Sequence, residues 1–553
     1  MREKLKIGLL LNTPFLPAWE YKIINEIKSS DYAVISLIIR NQSTNSITKE
    51  RKDSSGSLIF RLHQMIDRVV FATRNSYFKK KDISEIVKDV PELKINMAED
   101  EGDNRVIDRV IPEIKEFNLD IILQFGFNPL PKDTLSIPRY GVWSYQMDIS
   151  RNELTGTSGY YEVVREIPVT VSELVVLKGN GTENRVIARA WESTCSYSIN
   201  LNRNKLFWRA SLFMPRVMKG IYSYGDGFLR VLEEKFKNEV SGINLQLPAP
   251  SLIPAIKNLV ASFNIFLRKS LKKLFYTDPF SWVLLFTINN ESDPLNNSYG
   301  SFAKIQPSKD KFWADPFVIF KNNKYYIFVE EFIYRKNKGH ISVLELNEKG
   351  KLLNVQKIID KPYHMSYPFI FEIENNYYMI PETGGNRTID LYKCLRFPYE
   401  WVYVKTLMND VNAVDTTLFY FKDKWWLFTV IDKIDNILDC SPELYLFMTD
   451  DIFSDRWISH PLNPVVSDIR TARPAGKIFI NGNKIYRPSQ DCSERYGRAF
   501  NINQILKLTE TEYEESLARK VEPDWDTHLK GTHTFNSDKD FTIIDAYSFR
   551  KRI

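Results

Sequence analysis

Cysteine is scarce: four in 553 residues, Cys195, Cys394, Cys440 and Cys492, far apart and without a CxxC pair. That excludes a disulfide-stapled scaffold and a thiolate zinc site. Net charge is small, 75 Lys and Arg against 69 Asp and Glu, which gives no electrostatic footprint for a nucleic-acid partner. No uninterrupted apolar run reaches the roughly 18 residues of a membrane-spanning helix. The opening MREKLKIGLLLNTPF has a short apolar run followed by Pro14 and Pro17, so it is expected to be a buried strand rather than a signal peptide. The expectation is a cytoplasmic protein. No phosphate loop is present, since KGNGTENR (178–185) lacks the GxxxxGK[ST] spacing and reads as a turn.

Aromatic residues, by contrast, are plentiful: 13%, with 28 Tyr, 35 Phe and 11 Trp. Flat rings suit pleated sheets and the faces of pyranose sugars. The length predicts several domains, and three regions separate by pattern.

Residues 1–215 alternate strand-like and helix-like segments. Strands are expected at 6–12, 32–40, 121–127, 141–146 and 169–177. Helices are expected at 18–28, near 59–72, and at 106–117 and 159–167. Such alternation predicts an α/β domain with a mostly parallel sheet. Residues 216–295 read as a helical linker broken by Pro248, Pro250 and Pro254. Within it, 255–275 places Ile256, Leu259, Val260, Phe263, Phe266, Leu267, Leu271 and Leu274 on one face, with Lys257, Arg268, Lys269, Lys272 and Lys273 around them. Two readings stand for that segment: a linker helix packed on a neighbouring domain, or peripheral contact with an anionic membrane surface at its inner face.

Residues 296–553 carry an internal repeat. Five segments share an apolar strand, a turn and an aromatic strand: 313–332, 366–383, 414–430, 472–491 and 532–547. Equivalent positions are Asp315, Tyr367, Asp415, Arg473 and His533, spaced by 52, 48, 58 and 60 residues. Repeats of this length made of short strands predict an all-β, five-bladed propeller. The innermost strands of a propeller line its channel, so these five polar residues are expected to converge at one mouth. Glu330, Glu331, Glu382, Arg487, Gln490 and Asp491 form a second expected set at the ends of the next strands. Paired carboxyls are what glycosidic chemistry requires, one as acid and one as base or nucleophile. Arg473, Arg487 and His533 suit an anionic sugar or phosphate. A salt-bridged plug closing the channel is the competing reading. Glu330, Tyr367 and Asp491 join the expected substrate-binding set; no metal site is expected.

ADPF (314–317) and the Asp opening the third repeat resemble five-bladed glycoside hydrolases of the arabinanase, xylosidase and levansucrase kind. That resemblance implies Asp315 as base or nucleophile, Asp415 as the residue that tunes it, and Glu382 as acid, although no EGP-like acid motif is present. The run ADPF, YPFIFE, PET, DTTLF, RPAG and GTHTFN is more similar to the propeller domain preceding the glycosyltransferase in glucosamine inositolphosphorylceramide transferases. It implies work on a sugar, nucleotide sugar or oligosaccharide in surface polysaccharide or glycolipid synthesis, as a transferring enzyme or as a non-catalytic glycan-binding scaffold.

In the first region, DIILQFGFNPLPKDTLSIPRYGVWSYQ and LTGTSGYYEVVREIPVTVSELVVL resemble formyltransferases. Where that family has Asn, His and Asp, this chain has Ser144, Gln146 and Thr182. A glutamine cannot take up a proton at neutral pH, so general-base formyl transfer and a formyl-folate cofactor are not expected. A scaffold, a ligand-binding domain, or other chemistry through Asp148, Glu162 or Glu173 remain as readings. A sugar N-formyltransferase with a rearranged site is the last alternative. Tyr160 and Tyr161 suit either ring stacking on a ligand or helix packing.

Overall fold

The computed structural model describes residues 2–41, 58–73, 75–95, 105–125, 132–147, 159–178, 184–237, 280–289, 294–434 and 441–549, with 256–257, 260, 263–264 and 267. The chain divides between Leu267 and Arg268 into two units.

In the first unit the strands are β1 (Leu5–Leu11), β2 (Phe15–Pro17), β3 (Ala33–Asn41), β4 (Lys80–Asp82), β5 (Glu92–Ile95), β6 (Ile121–Phe125), β7 (Val142–Gln146), β8 (Val169–Val176) and β9 (Arg185–Ser193). Seven of them form one sheet in the order β5-β3-β1-β6-β7-β8-β9, while β2 and β4 pair separately. The first five strands of that order run parallel, and β8 and β9 are antiparallel additions. β1 and β6 are almost wholly apolar because both faces of a parallel sheet are covered. The expected helices are present at Ala18–Ser29, Leu58–Val70, Arg105–Glu116 and Tyr160–Val164. Three further helices, Ile199–Ala210, Phe213–Tyr224 and Gly227–Lys237, continue the unit through the expected boundary at 215. Of 255–275, the described residues Ile256, Val260, Phe263 and Leu267 are helical and exposed; the rest of that segment lies outside the described residues.

The second unit is a five-bladed propeller. Blades 1, 2 and 4 are four-stranded: Lys311–Ile359, Ser366–Asn409 and Phe479–Val521. Blade 3 spans Ala413–Ser467. Blade 5 joins the two ends of the unit: Phe280–Ile288 pairs antiparallel along Phe541–Phe549, from Phe280 opposite Phe549 to Ile288 opposite Phe541. The strand that closes the ring therefore comes from inside 216–295, the segment expected as linker. The clusters between blades are aromatic, with Phe317, Phe328, Phe428 and Phe500 fully buried. Each contributes about 1.5–3 kcal/mol by burial.

Candidate functional site

The innermost strands of blades 1 to 3 share an irregularity. The pairing slips between Ala314 and Phe317, between Ser366 and Phe369, and between Val414 and Thr417. Two residues there face one, a β-bulge. The first bulged residue in each case is left-handed: Asp315 (φ 51°), Tyr367 (φ 42°) and Asp415 (φ 52°). Side chains with a Cβ resist this region, at on the order of 1–3 kcal/mol each. Pro316 and Pro368 follow two of them, and a proline at a bulge has no N–H to leave unpaired.

The bulges aim backbone donors across blade boundaries. Asp315 N–H donates to Asp545 Oδ2 at 3.0 Å, Tyr367 N–H to Asp315 Oδ2 at 3.2 Å, and Asp415 N–H to Glu382 Oε2 at 3.3 Å. Side chains continue the ring. Arg473 Nε meets Asp415 Oδ2 at 2.5 Å, and Gln490 Nε2 donates to the same oxygen at 2.8 Å. His533 lies between two acids, with Nδ1 at 2.7 Å from Asp545 and Nε2 at 3.4 Å from Asp315. Its ring stacks on Trp282 at 4.0 Å.

Four of the five expected ring residues thus form one buried polar hub, Asp315, Asp415, Arg473 and His533, together with Glu330 and Glu382. Tyr367 takes part through its backbone. Its side chain runs down the channel instead, where its hydroxyl meets Thr417 Oγ1 at 2.8 Å and accepts the Gly476 N–H at 2.7 Å. Glu330 and Glu382 occupy matching places, opposite Ala314 and Ser366, the residues just before the bulges of blades 1 and 2.

Three expected residues are elsewhere. Arg487 is fully buried and makes a bidentate pair with Glu515, at 2.8 and 2.6 Å. Asp491 pairs with Arg498 and Lys520. Strand alternation explains both, since Arg487 and Asp491 project to the face opposite Gln490. Glu331 likewise turns away from Glu330, to Trp313 Nε1 at 2.8 Å, Lys311 and His340. Asp545 was not singled out from the sequence, yet it is a central acceptor of the hub: it takes the N–H groups of Asp315, His533 and Thr534 besides the imidazole. It sits late in the fifth repeat, where the other repeats offer no matching acid as a signal.

Crowded buried carboxyls change their proton affinities. Burial, helped by Asp415, pushes Glu382 up to about 8. Burial also pushes Asp315 up to about 6, with His533 pulling the other way. Glu330 is raised well above the usual carboxyl range by burial and by Asp315 and Glu382. Burial disfavours the His533 cation, but Asp545 and Asp315 more than offset it and its pKa rises. The hub therefore holds a protonated acid beside ionised partners, the separation acid–base chemistry uses. Asp315, His533 and Asp545 are close enough to share a cation among the described residues, but the imidazole already directs both nitrogens at the two carboxylates.

In the first unit, Ser144 and Gln146 lie on β7, Ser144 buried and Gln146 half-buried. Thr182 and Asp148 fall outside the described residues. Glu173 is locked to Arg189 at 2.7 Å with both side chains buried. Glu162 is fully buried, and Tyr160 and Tyr161 pack in a small core with Val163 and Ile199, so the two rings serve helix packing.

Comparison with known proteins adds the following. Residues 292–549 match the family described as glucosamine inositolphosphorylceramide transferase 1, N-terminal. A glucosamine inositolphosphorylceramide transferase 1 of Oryza sativa subsp. japonica is 33% identical over 207 residues, 37% of this chain and 27% of that protein. One of Arabidopsis thaliana is 29% identical over 253 residues, 44% of this chain and 33% of that protein. The chain thus spans a third or less of the length of these relatives. Among solved structures, Zg3597, a family 117 glycoside hydrolase of Zobellia galactanivorans, is 14% identical, covers 48% of this chain and 90% of its own, and has a TM-score of 0.32. A phosphoribosylglycinamide formyltransferase of Coxiella burnetii is 13% identical over 40% of this chain and 88% of its own, with a TM-score of 0.29.

Proposed function

We propose that the propeller hub makes or breaks a glycosidic bond during glycolipid or surface-polysaccharide synthesis. The observation that carries this reading is the pairing of unlike acids in one buried hub: Glu382, protonated at neutral pH, and Asp315, ionised beside His533. Glu382 would give its proton to the leaving oxygen. Asp315 would attack the anomeric carbon or take the proton of the incoming hydroxyl. Asp415, fixed by Arg473 and Gln490, would keep Glu382 protonated by placing negative charge against it. The relatives named as glycolipid sugar transferases support the substrate class.

Arg473 and His533 are already neutralised by Asp415 and Asp545, and Arg487 by Glu515. The charge balance of the hub therefore argues for a neutral or amine-bearing sugar rather than an anionic one. The test is turnover of alkyl glycosides, nitrophenyl glycosides and nucleotide sugars by the whole chain, with Asp315→Asn and Glu382→Gln as controls. Loss of turnover on every substrate in Asp315→Asn, and in Glu382→Gln on the alkyl glycosides whose leaving group needs a proton, with the fold kept, supports the reaction; equal turnover in all three removes it.

A second reading, a glycan-binding hub without catalysis, is favoured by how fully Asp545 and Asp415 are used to tie neighbouring blades together. It is separated by Asp315→Asn: turnover of a reconstituted pathway would then be unaltered. Formyl transfer has less support, since Ser144 and Gln146 offer no base; calorimetry with a formyl-folate analogue tests it, and an absence of heat is expected.

A further inference from the structure

The hub has an aromatic approach on one side. On the second strand of blade 1, Glu330 and Phe332 share a face by alternation, and Phe332 stacks on its cross-strand partner Phe312 at 4.8 Å with the rings nearly parallel. Tyr334 meets both rings edge-on, at 5.9 and 6.1 Å. All three aromatics are half-buried, so part of each ring faces outward.

Over Glu330 and Phe332 lies His364, from the loop entering blade 2. Its Nε2 is 3.4 Å from Glu330 Oε1, and its ring centroid is 6.0 Å from that of Phe332. Its Nδ1 accepts the Gly339 backbone N–H at 3.0 Å. An imidazole that accepts at Nδ1 carries its proton at Nε2 and is neutral. Burial and the Lys338 charge act in the same direction. Gly339 is what lets the two groups meet: a Cβ there would stand 2.6 Å from Glu330 Oε1 and 2.8 Å from His364 Cε1. The His364 side chain is nonetheless 42% exposed, so a neutral imidazole whose Nε2–H is directed at the buried Glu330 is itself partly open to solvent.

We propose that Phe332, Phe312, His364 and Glu330 form a binding position for a second sugar ring, adjoining the hub on the side of blade 1. A pyranose presents an apolar face and a rim of hydroxyls; here the rings would take the face, His364 Nε2–H would donate to one hydroxyl, and Glu330 would accept from its neighbour. A neutral donor favours an uncharged sugar over a phosphate. The position rests on the reading of the hub as a sugar site and adds an oligosaccharide substrate to it.

Calorimetry on the whole chain with glucosamine, glucose, N,N′-diacetylchitobiose and cellobiose tests this. At least one disaccharide is expected to bind ten-fold or more tightly than its monosaccharide. Phe332→Ala and His364→Ala should each erase that gain, while His364→Gln, which keeps an N–H donor, should restore much of it. A monosaccharide that binds with no gain for any disaccharide, or a gain that survives Phe332→Ala, overturns the second position and leaves the hub intact. Absence of binding by all four sugars overturns both.

Discussion

Tyr367 donates its backbone N–H to Asp315 Oδ2 at 3.2 Å from a left-handed backbone. A tyrosine tolerates that conformation only if its surroundings hold it there. The carboxylate of blade 1 is thus part of what fixes the bulge of blade 2, so the residue proposed for chemistry is also a seam between blades. Asp545 does the same for blade 1, through the Asp315 N–H.

Replacing one member of this ring leaves buried donors unpaired. Asp545→Ala strands the N–H groups of Asp315, His533 and Thr534 and the His533 ring. The expected loss is about 3–5 kcal/mol. In a domain of this size it should appear as a fall of about 5–8 °C in the propeller's thermal transition. Asp545→Asn, which keeps an acceptor, should lose less. Scanning calorimetry of the three proteins checks the order, and an Asp545→Ala transition at the wild-type temperature would remove the seam.

The sign of the pH dependence follows from the hub. Asp315, Glu382 and His533 all bind protons more tightly folded than unfolded. The folded state therefore holds extra protons, and its stability falls as pH rises. The window opens near pH 4, where free carboxyls ionise, and closes near the value of about 8 reached by Glu382. Glu331 has the opposite sign. Burial raises it, but hydrogen bonds from His340 and Trp313 outweigh that and bring it to about 2; its stabilisation is lost as pH falls through that value. Stability of the propeller should thus peak near pH 4–5 and decline towards pH 8. Urea melts across pH 4–9 check this, and Glu382→Gln should flatten the upper part of the decline.

The five-bladed plan was readable because each repeat carries the same strand–turn–strand signature, and the shared position of Asp315, Asp415, Arg473 and His533 was enough to bring them together. Strand alternation also lies in the sequence, and it separates Gln490 from Arg487 and Asp491, and Glu330 from Glu331. What could not be read is the bulge. A single extra residue in the inner strand changes which way Tyr367 points, and nothing in SYPF distinguishes a hydroxyl aimed across the mouth from one aimed down the channel. Asp545 was hidden for another reason: its importance comes from three backbone N–H groups, and backbone donors leave no trace in side-chain identity. The closing strand Phe280–Ile288 reads alone as any apolar segment, because its partner lies at the far end of the chain.

The Tyr367 hydroxyl offers a local test of the plug. It accepts the Gly476 N–H and meets Thr417, and a side chain on Gly476 is excluded, since its Cβ would lie 1.9 Å from Phe535 O. Tyr367→Phe keeps the ring and removes the acceptor, leaving a buried N–H unpaired. About 1–3 kcal/mol of stability should be lost. If the hydroxyl is structural, KM should stay constant and the altered property should be the melting temperature alone. A raised KM with an unchanged melt would instead place the hydroxyl against substrate.

The reaction itself should show two coupled ionisations. A base must be ionised and an acid protonated, so turnover is expected only between the apparent values of the pair. With Asp315 near 6 and Glu382 near 8, the rate should rise through about pH 6 and fall through about pH 8. Glu382→Gln removes the group responsible for the fall. The remaining activity on a substrate with a good leaving group, such as a dinitrophenyl glycoside, needs no proton donor and should keep the acid limb while losing the basic one. Asp415→Asn acts differently. It withdraws the charge that keeps Glu382 protonated, so the basic limb should move to lower pH and stay present. Rate profiles of the two variants on the same substrate separate these roles, because a basic limb that survives Glu382→Gln would assign the acid to another carboxyl, with Glu330 the next in line by burial and charge.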